Sequence, residues 1–136
     1  MLKDKRILLI DPDPAIHNHL EQALRKNGAT PCTVRNAEDA LTLLSQEHID
    51  VLLVELRLPG MNAYDFCRAL SQVPRLAAIP VVATSPNPFV NSINIATCPN
   101  VVDFVRKPFR IEELLVALRR ALSGEQSFIA RAMRRA

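Results

Sequence analysis

Val51-Leu52-Leu53-Val54-Glu55-Leu56-Arg57-Leu58-Pro59-Gly60-Met61 is the stretch that decides the fold. Four apolar residues in a row, with no polar alternation, read as a strand buried on both faces, as in a parallel sheet covered by helices on each side. The run stops at a carboxylate, and Pro59-Gly60 then enforces a loop. In open α/β sheets, ligands are held at the C-terminal ends of strands. Glu55 is therefore the first candidate site residue.

Working outward, strand and helix patterns alternate five times. Arg6 to Ile10 reads as a short strand, and Asp13-Pro14 opens a helix with Asp13 as N-cap and Pro14 at the first helical position. Ile16, Leu20, Ala23 and Leu24 share one face of that helix, which stops at Asn27-Gly28. Residues 29–34 form a weaker strand, and Asn36 caps a second helix whose inner face is Ala37, Ala40, Leu41 and Leu44. A helix is predicted over 63–71, strands over 80–84 and 101–105, and a last helix with the stripe Ile111, Leu114, Leu115, Leu118 and Leu122. Such alternation implies parallel pairing and right-handed crossovers. The expected fold is α/β, a doubly wound five-stranded parallel sheet in a three-layer sandwich. Between the last two strands, Pro86-Asn87-Pro88-Phe89-Val90-Asn91-Ser92-Ile93-Asn94-Ile95-Ala96-Thr97 is made of poor helix formers, so any helix there is expected to be short or irregular.

At 136 residues the chain suits one domain, over 1–122, followed by a basic tail over 123–136 in which 128–133 fit another short turn. Apolar runs stop at four or five residues, too short for a bilayer span or a signal peptide. Three widely spaced cysteines, Cys32, Cys67 and Cys98, fit neither a disulfide framework nor a zinc site, and a reduced cytoplasmic protein is the simplest reading. With three Gly and ten Pro there is no Gly-rich phosphate cradle. The net charge of +3 suits an ordinary mixed surface. Basic residues nonetheless gather late: Arg106, Lys107, Arg110, Arg119, Arg120, Arg131, Arg134 and Arg135 against Glu112, Glu113 and Glu125. That is enough to offer an anionic partner a basic face.

The remaining chemistry-bearing residues are soon weighed. His17 and His19, two apart on a helix, point in different directions and read as surface residues rather than a metal pair. Cys67 lies on an apolar helix face and reads as core. Ser85, with no histidine nearby in sequence, reads as a hydrogen-bonding residue rather than a nucleophile.

Taken in order, Asp11, Glu55, Ser85, Phe104 and Lys107, with Arg57-Leu58-Pro59-Gly60-Met61 and Arg106-Lys107-Pro108-Phe109, make the chain resemble a bacterial response-regulator receiver domain of the CheY-like type. The resemblance implies a phosphoacceptor at position 55, a magnesium-binding acidic pair at 11 and 12, a switch hydroxyl at Ser85, a switch aromatic at Phe104 and a phosphoryl-neutralising Lys107. It also implies a cis Lys107-Pro108 peptide, an isomer that X-Pro bonds adopt at low cost. Two positions depart from the pattern. Glu55 stands where the family has aspartate, its carboxylate one methylene farther out, and a misplacement of about 1 Å already costs ~10²-fold in rate. Pro12 stands where the family has a principal magnesium ligand. Asp13 carries a carboxylate but is one residue out of register. Magnesium wants a near-octahedral oxygen set, so at most weak magnesium association at Asp11, Asp13 and Glu55 is expected, with no other cofactor.

The resulting expectation is an atypical receiver, non-enzymatic, signalling through protein contacts without phosphotransfer. Glu55 then either pairs with Lys107 at the sheet rim, mimics a phosphoryl charge, or accepts phosphate inefficiently. The partner is expected to be a histidine kinase, an output protein or a second copy, meeting residues 86–97, 101–105 and Ile111–Leu122; membrane and nucleic acid are not expected. An alternative from another class is a phosphohydrolase resembling the haloacid-dehalogenase family, with Asp11 as nucleophile, Asp13 as acid/base, and Thr84 or Ser85 and Lys107 in support. It lacks closing acidic residues on a strand end, since only Glu112, Glu113 and Glu125 follow the lysine.

Overall fold

The computed structural model describes residues 2–86 and 98–125. Five parallel strands, β1 (Arg6–Ile10), β2 (Thr30–Val34), β3 (Val51–Glu55), β4 (Val81–Ser85) and β5 (Val101–Arg106), lie in the order β2-β1-β3-β4-β5. The helices are α1 (Pro14–Lys26), α2 (Ala37–Gln46), α3 (Ala63–Ser71), a single-turn α4 (Pro74–Ala77) and α5 (Ile111–Leu122). The expected doubly wound sheet is what forms. The calls on 86–97 and on the tail fall on positions 87–97 and 126–136, outside the described residues, as does any turn over 128–133.

Every residue of β3 is buried, as its unbroken apolar composition requires. Alternate strand residues feed two apolar layers. Leu8, Ile10, Leu52 and Val54 pack with Ala40, Leu44, Phe66 and Leu70 on the α2/α3 side. Ile7, Leu9, Val51 and Leu53 pack with Leu20, Leu24, Leu114 and Leu118 on the α1/α5 side. Pro31 is tolerated in β2 because that strand is an edge. At the other edge, the Asp103 carboxylate accepts the Phe104 backbone N–H at 2.7 Å.

Three sequence expectations change. The inner face of α1 is His17, Leu20 and Leu24, so His17 is buried rather than a surface residue. Its spacing of three and then four residues to the two leucines places it on their stripe. β4 runs one residue later than expected, to Ser85, and β5 one residue farther, to Arg106, since these two residues pair across the ladder. Finally, α4 was not foreseen: four residues are too few to carry a helical period. Pro74 at its first position and the Arg75 guanidinium, which donates to the Leu44 carbonyl oxygen at 2.9 Å, tie it to the end of α2.

Candidate functional site: a charge cage at the strand ends

The parallel register brings the ends of β1, β3 and β5 to one rim. Ile10 pairs with Val54, and Glu55 with Thr84, so Asp11 and Glu55 emerge side by side. Lys107 follows β5 directly, with its backbone N–H donating to the Ser85 carbonyl oxygen at 2.8 Å, and precedes a cis bond to Pro108. Its Nζ points inward and donates to Asp11 Oδ2 at 2.6 Å and to Glu55 Oε1 at 2.6 Å.

Both carboxylates are buried, Glu55 to 2% exposure and Asp11 to 5%. A buried carboxylate survives as an anion only when paired and hydrogen-bonded. Each oxygen is accounted for. Glu55 Oε2 accepts the Arg57 backbone N–H at 3.0 Å, and the Arg57 guanidinium lies 3.6 Å from Oε1. Asp11 Oδ1 accepts the Asp13 N–H at 2.9 Å. Two buried anions thus face two cations, Lys107 and Arg57, and the cluster is close to neutral. For Lys107, burial disfavours the charged form, but the hydrogen bonds and attraction from Asp11 and Glu55 outweigh it and raise its pKa.

Asp11, Glu55 and Lys107 are therefore brought together as expected. Asp13 is not part of the cage through its side chain: it is exposed, and its carboxylate caps α1 by accepting the Ala15 N–H at 3.0 Å. Pro12 is exposed beside it. Ser85 is buried at the end of β4, at the rim, and Phe104 is buried within β5, in the α2/α3-side core. Cys67 is core as expected, and burial, reinforced by Cys98, pushes its thiol far up. Among the described residues, no group of three or more His, Cys, Asp or Glu is arranged to hold a metal ion. None of their helices is long and apolar enough to cross a membrane.

Arg57 received no role in the sequence reading. The available signal was its place two residues after Glu55, where a tight turn returns a backbone N–H to the preceding carboxylate. Thr84, named only in the phosphohydrolase alternative, lines a small cavity with Asp11, Ile16, Lys107 and Phe109. The alternative itself finds no support, since its acid/base residue, Asp13, is spent as a helix cap.

Comparison with known proteins agrees with this geometry. A family model, response regulator receiver domain, matches residues 7–119. The DNA-binding response regulator MtrA of Mycolicibacterium smegmatis is 30% identical over 118 residues, which cover 87% of this chain and 50% of that protein. The chain thus spans about half the length of that relative. A putative response regulator from Chloroflexus aurantiacus superposes with TM-score 0.82 at 25% identity, covering 89% of this chain and 99% of the other. The receiver domain of a sensor histidine kinase from Pseudomonas aeruginosa, described with a magnesium ion coordinated in its active-site cleft, superposes with TM-score 0.78 at 24% identity. It covers 88% of this chain and 98% of that one. Receiver domains are in general signalling modules that interact with histidine kinases or output domains. With the match running from the first strand into the last helix, this chain belongs to the response-regulator receiver domain family of two-component signalling.

Proposed function

We propose that this receiver domain signals through protein contacts independently of aspartyl phosphorylation, with the Glu55–Lys107–Asp11 cage as a permanently paired site. The observation that carries this is the double engagement of Lys107: one ammonium holds both remaining carboxylates at 2.6 Å. In a phosphorylatable site a divalent cation held by the acidic cluster neutralises it and bridges to phosphoryl oxygens. Here Lys107 and Arg57 already supply that positive charge. Pro12 offers no side-chain oxygen and Asp13 is committed to α1, so the donors do not fit magnesium's octahedral demand. Both Glu55 oxygens are held, Oε1 by the Lys107 ammonium and Oε2 by the Arg57 backbone N–H.

The partner surface in this reading is the face of β5 and α5. A groove there is lined by Asp103, Phe104, Arg106, Glu113, Val116 and Arg120, among which Val116 is an exposed apolar residue. Arg106 and Arg120 share its rim with Glu113 and Asp103, a mixed-charge surface offered to a histidine kinase, an output protein or a second copy of the chain.

The test is exposure to acetyl phosphate with magnesium, read by intact mass. The wild-type chain stays unmodified, as does Glu55→Asp, whereas Glu55→Asp combined with Pro12→Asp gains a phosphoryl group, because acceptor and metal ligand act as a unit. Stoichiometric modification of the wild type, abolished by Glu55→Gln, overturns the proposal.

A further inference from the structure

The loop between β3 and α3 is held at both ends by acidic side chains from different elements. At its start, the Arg57 N–H donates to Glu55. At its far end, the Met61 N–H donates to Glu38 Oε2 at 3.1 Å, across 23 residues of sequence. Glu38 stands in the first turn of α2, whose N-cap Asn36 fixes that turn by accepting the Asp39 N–H at 2.7 Å. Between the two anchors Gly60 has φ +71, and a Cβ built there would stand 2.8 Å from Glu38 Oε2. The glycine therefore meets two demands at once, a left-handed backbone and room for the Glu38 carboxylate. Leu58 and Met61 are partly buried against the α2/α3-side core, and Pro59 stiffens what lies between.

We propose that Glu38 is a positioning residue for the cage: from α2 it straps the β3–α3 loop and thereby holds Arg57 over the Glu55 carboxylate. The five residues 57–61 of this loop, with Pro59 among them and Leu58 and Met61 packed on the core, have few ways to move one end without the other. Releasing Met61 lets the Arg57 end lift, and Glu55 then loses its second cation. The proposal rests on Glu55 being the held anion of the cage, but not on any step of phosphotransfer.

Amide hydrogen exchange followed by NMR on the full chain tests it. Glu38→Ala is expected to speed exchange of the Met61 and Arg57 amides together by roughly tenfold, the ratio for losing one charge-assisted hydrogen bond. Leu53, deep in β3, reports global opening and stays unchanged. Glu38→Gln keeps an oxygen acceptor and retains most of the protection at both amides. Gly60→Ala should speed both amides in the wild type and lose part of its effect in the Glu38→Ala background, where the steric clash is gone. Faster exchange at Met61 with Arg57 unchanged overturns the proposal, leaving Glu38 a local loop contact. Equal loss in Glu38→Gln and Glu38→Ala overturns the hydrogen-bond strap. Acetyl phosphate labelling of the wild type reads the proposed function separately, so the two fail independently.

Discussion

At Lys107 two effects oppose each other. Desolvation works against its charge, and the paired carboxylates of Asp11 and Glu55 restore it with enough surplus to raise its pKa. A lysine whose folded-state value lies above its unfolded one contributes stability in full below the unfolded value, near 10.5, and loses it as pH rises through the folded value. The urea midpoint of the wild type should therefore fall at alkaline pH above about 10.5 more steeply than that of Lys107→Met. At neutral pH, Lys107→Met should cost roughly 3 kcal/mol, since it leaves two buried carboxylates without their shared cation. Adding Glu55→Gln to Lys107→Met should recover part of that loss, a coupling that equilibrium unfolding of the four species measures. Strictly additive losses would mean that the cage is not one electrostatic unit.

Among the elements, the starts of α1, α2 and α3 are set by side-chain caps, of which the sequence names Asp13 and Asn36. Asp13, Asn36 and Asn62 each accept a backbone N–H from the first turn of α1, α2 and α3. Asp13→Ala and Asn62→Ala should each cost about 1 kcal/mol in chemical denaturation, the usual worth of an N-cap. Because the Asp13 carboxylate serves α1 and not the cage, Asp13→Ala should leave the alkaline behaviour of Lys107 unchanged, which titration of the Lys107 side-chain NMR signals would check. A shifted Lys107 titration would place Asp13 in the site after all. The α2 carboxyl end has no basic residue of its own in the last turn, and Arg75, reaching over from α4, supplies the cation and donor there.

On the scale of the molecule, the sheet works as a septum between two apolar layers, each fed by alternate strand residues. Among the described residues Phe66 is the largest wholly buried side chain, and it packs in the α2/α3-side layer. Phe66→Ala should cost about 4 kcal/mol with an unchanged denaturant slope, because the cavity it leaves cannot collapse without moving β3 or α3. A loss under about 1 kcal/mol would mean that this layer repacks freely, at odds with its burial. The same septum sets the functional geometry: all five strands run parallel, so their carboxyl ends form one rim, with the cage at its centre and the β5–α5 groove at one side.

Much of this was legible in the chain of residues. The unbroken run Val51-Leu52-Leu53-Val54 implied a strand covered on both faces, and the alternation around it implied a doubly wound sheet, since few parallel arrangements satisfy such patterns. Glu55 was legible as a site residue because it ends an apolar run, Asp11 and Lys107 through the resemblance to receiver domains, and Pro12 declared its lack of a side-chain oxygen outright. What tertiary structure alone decided was pairing. No periodicity states that one ammonium reaches two carboxylates 96 and 52 residues away, or that Glu38 meets Met61. Nor does it say that Arg57 turns back on Glu55, or that His17 lies inside while Asp13 lies outside. Local pattern is set by a residue and its near neighbours on one element. Charge pairing depends on the register between elements, which only the packed sheet specifies.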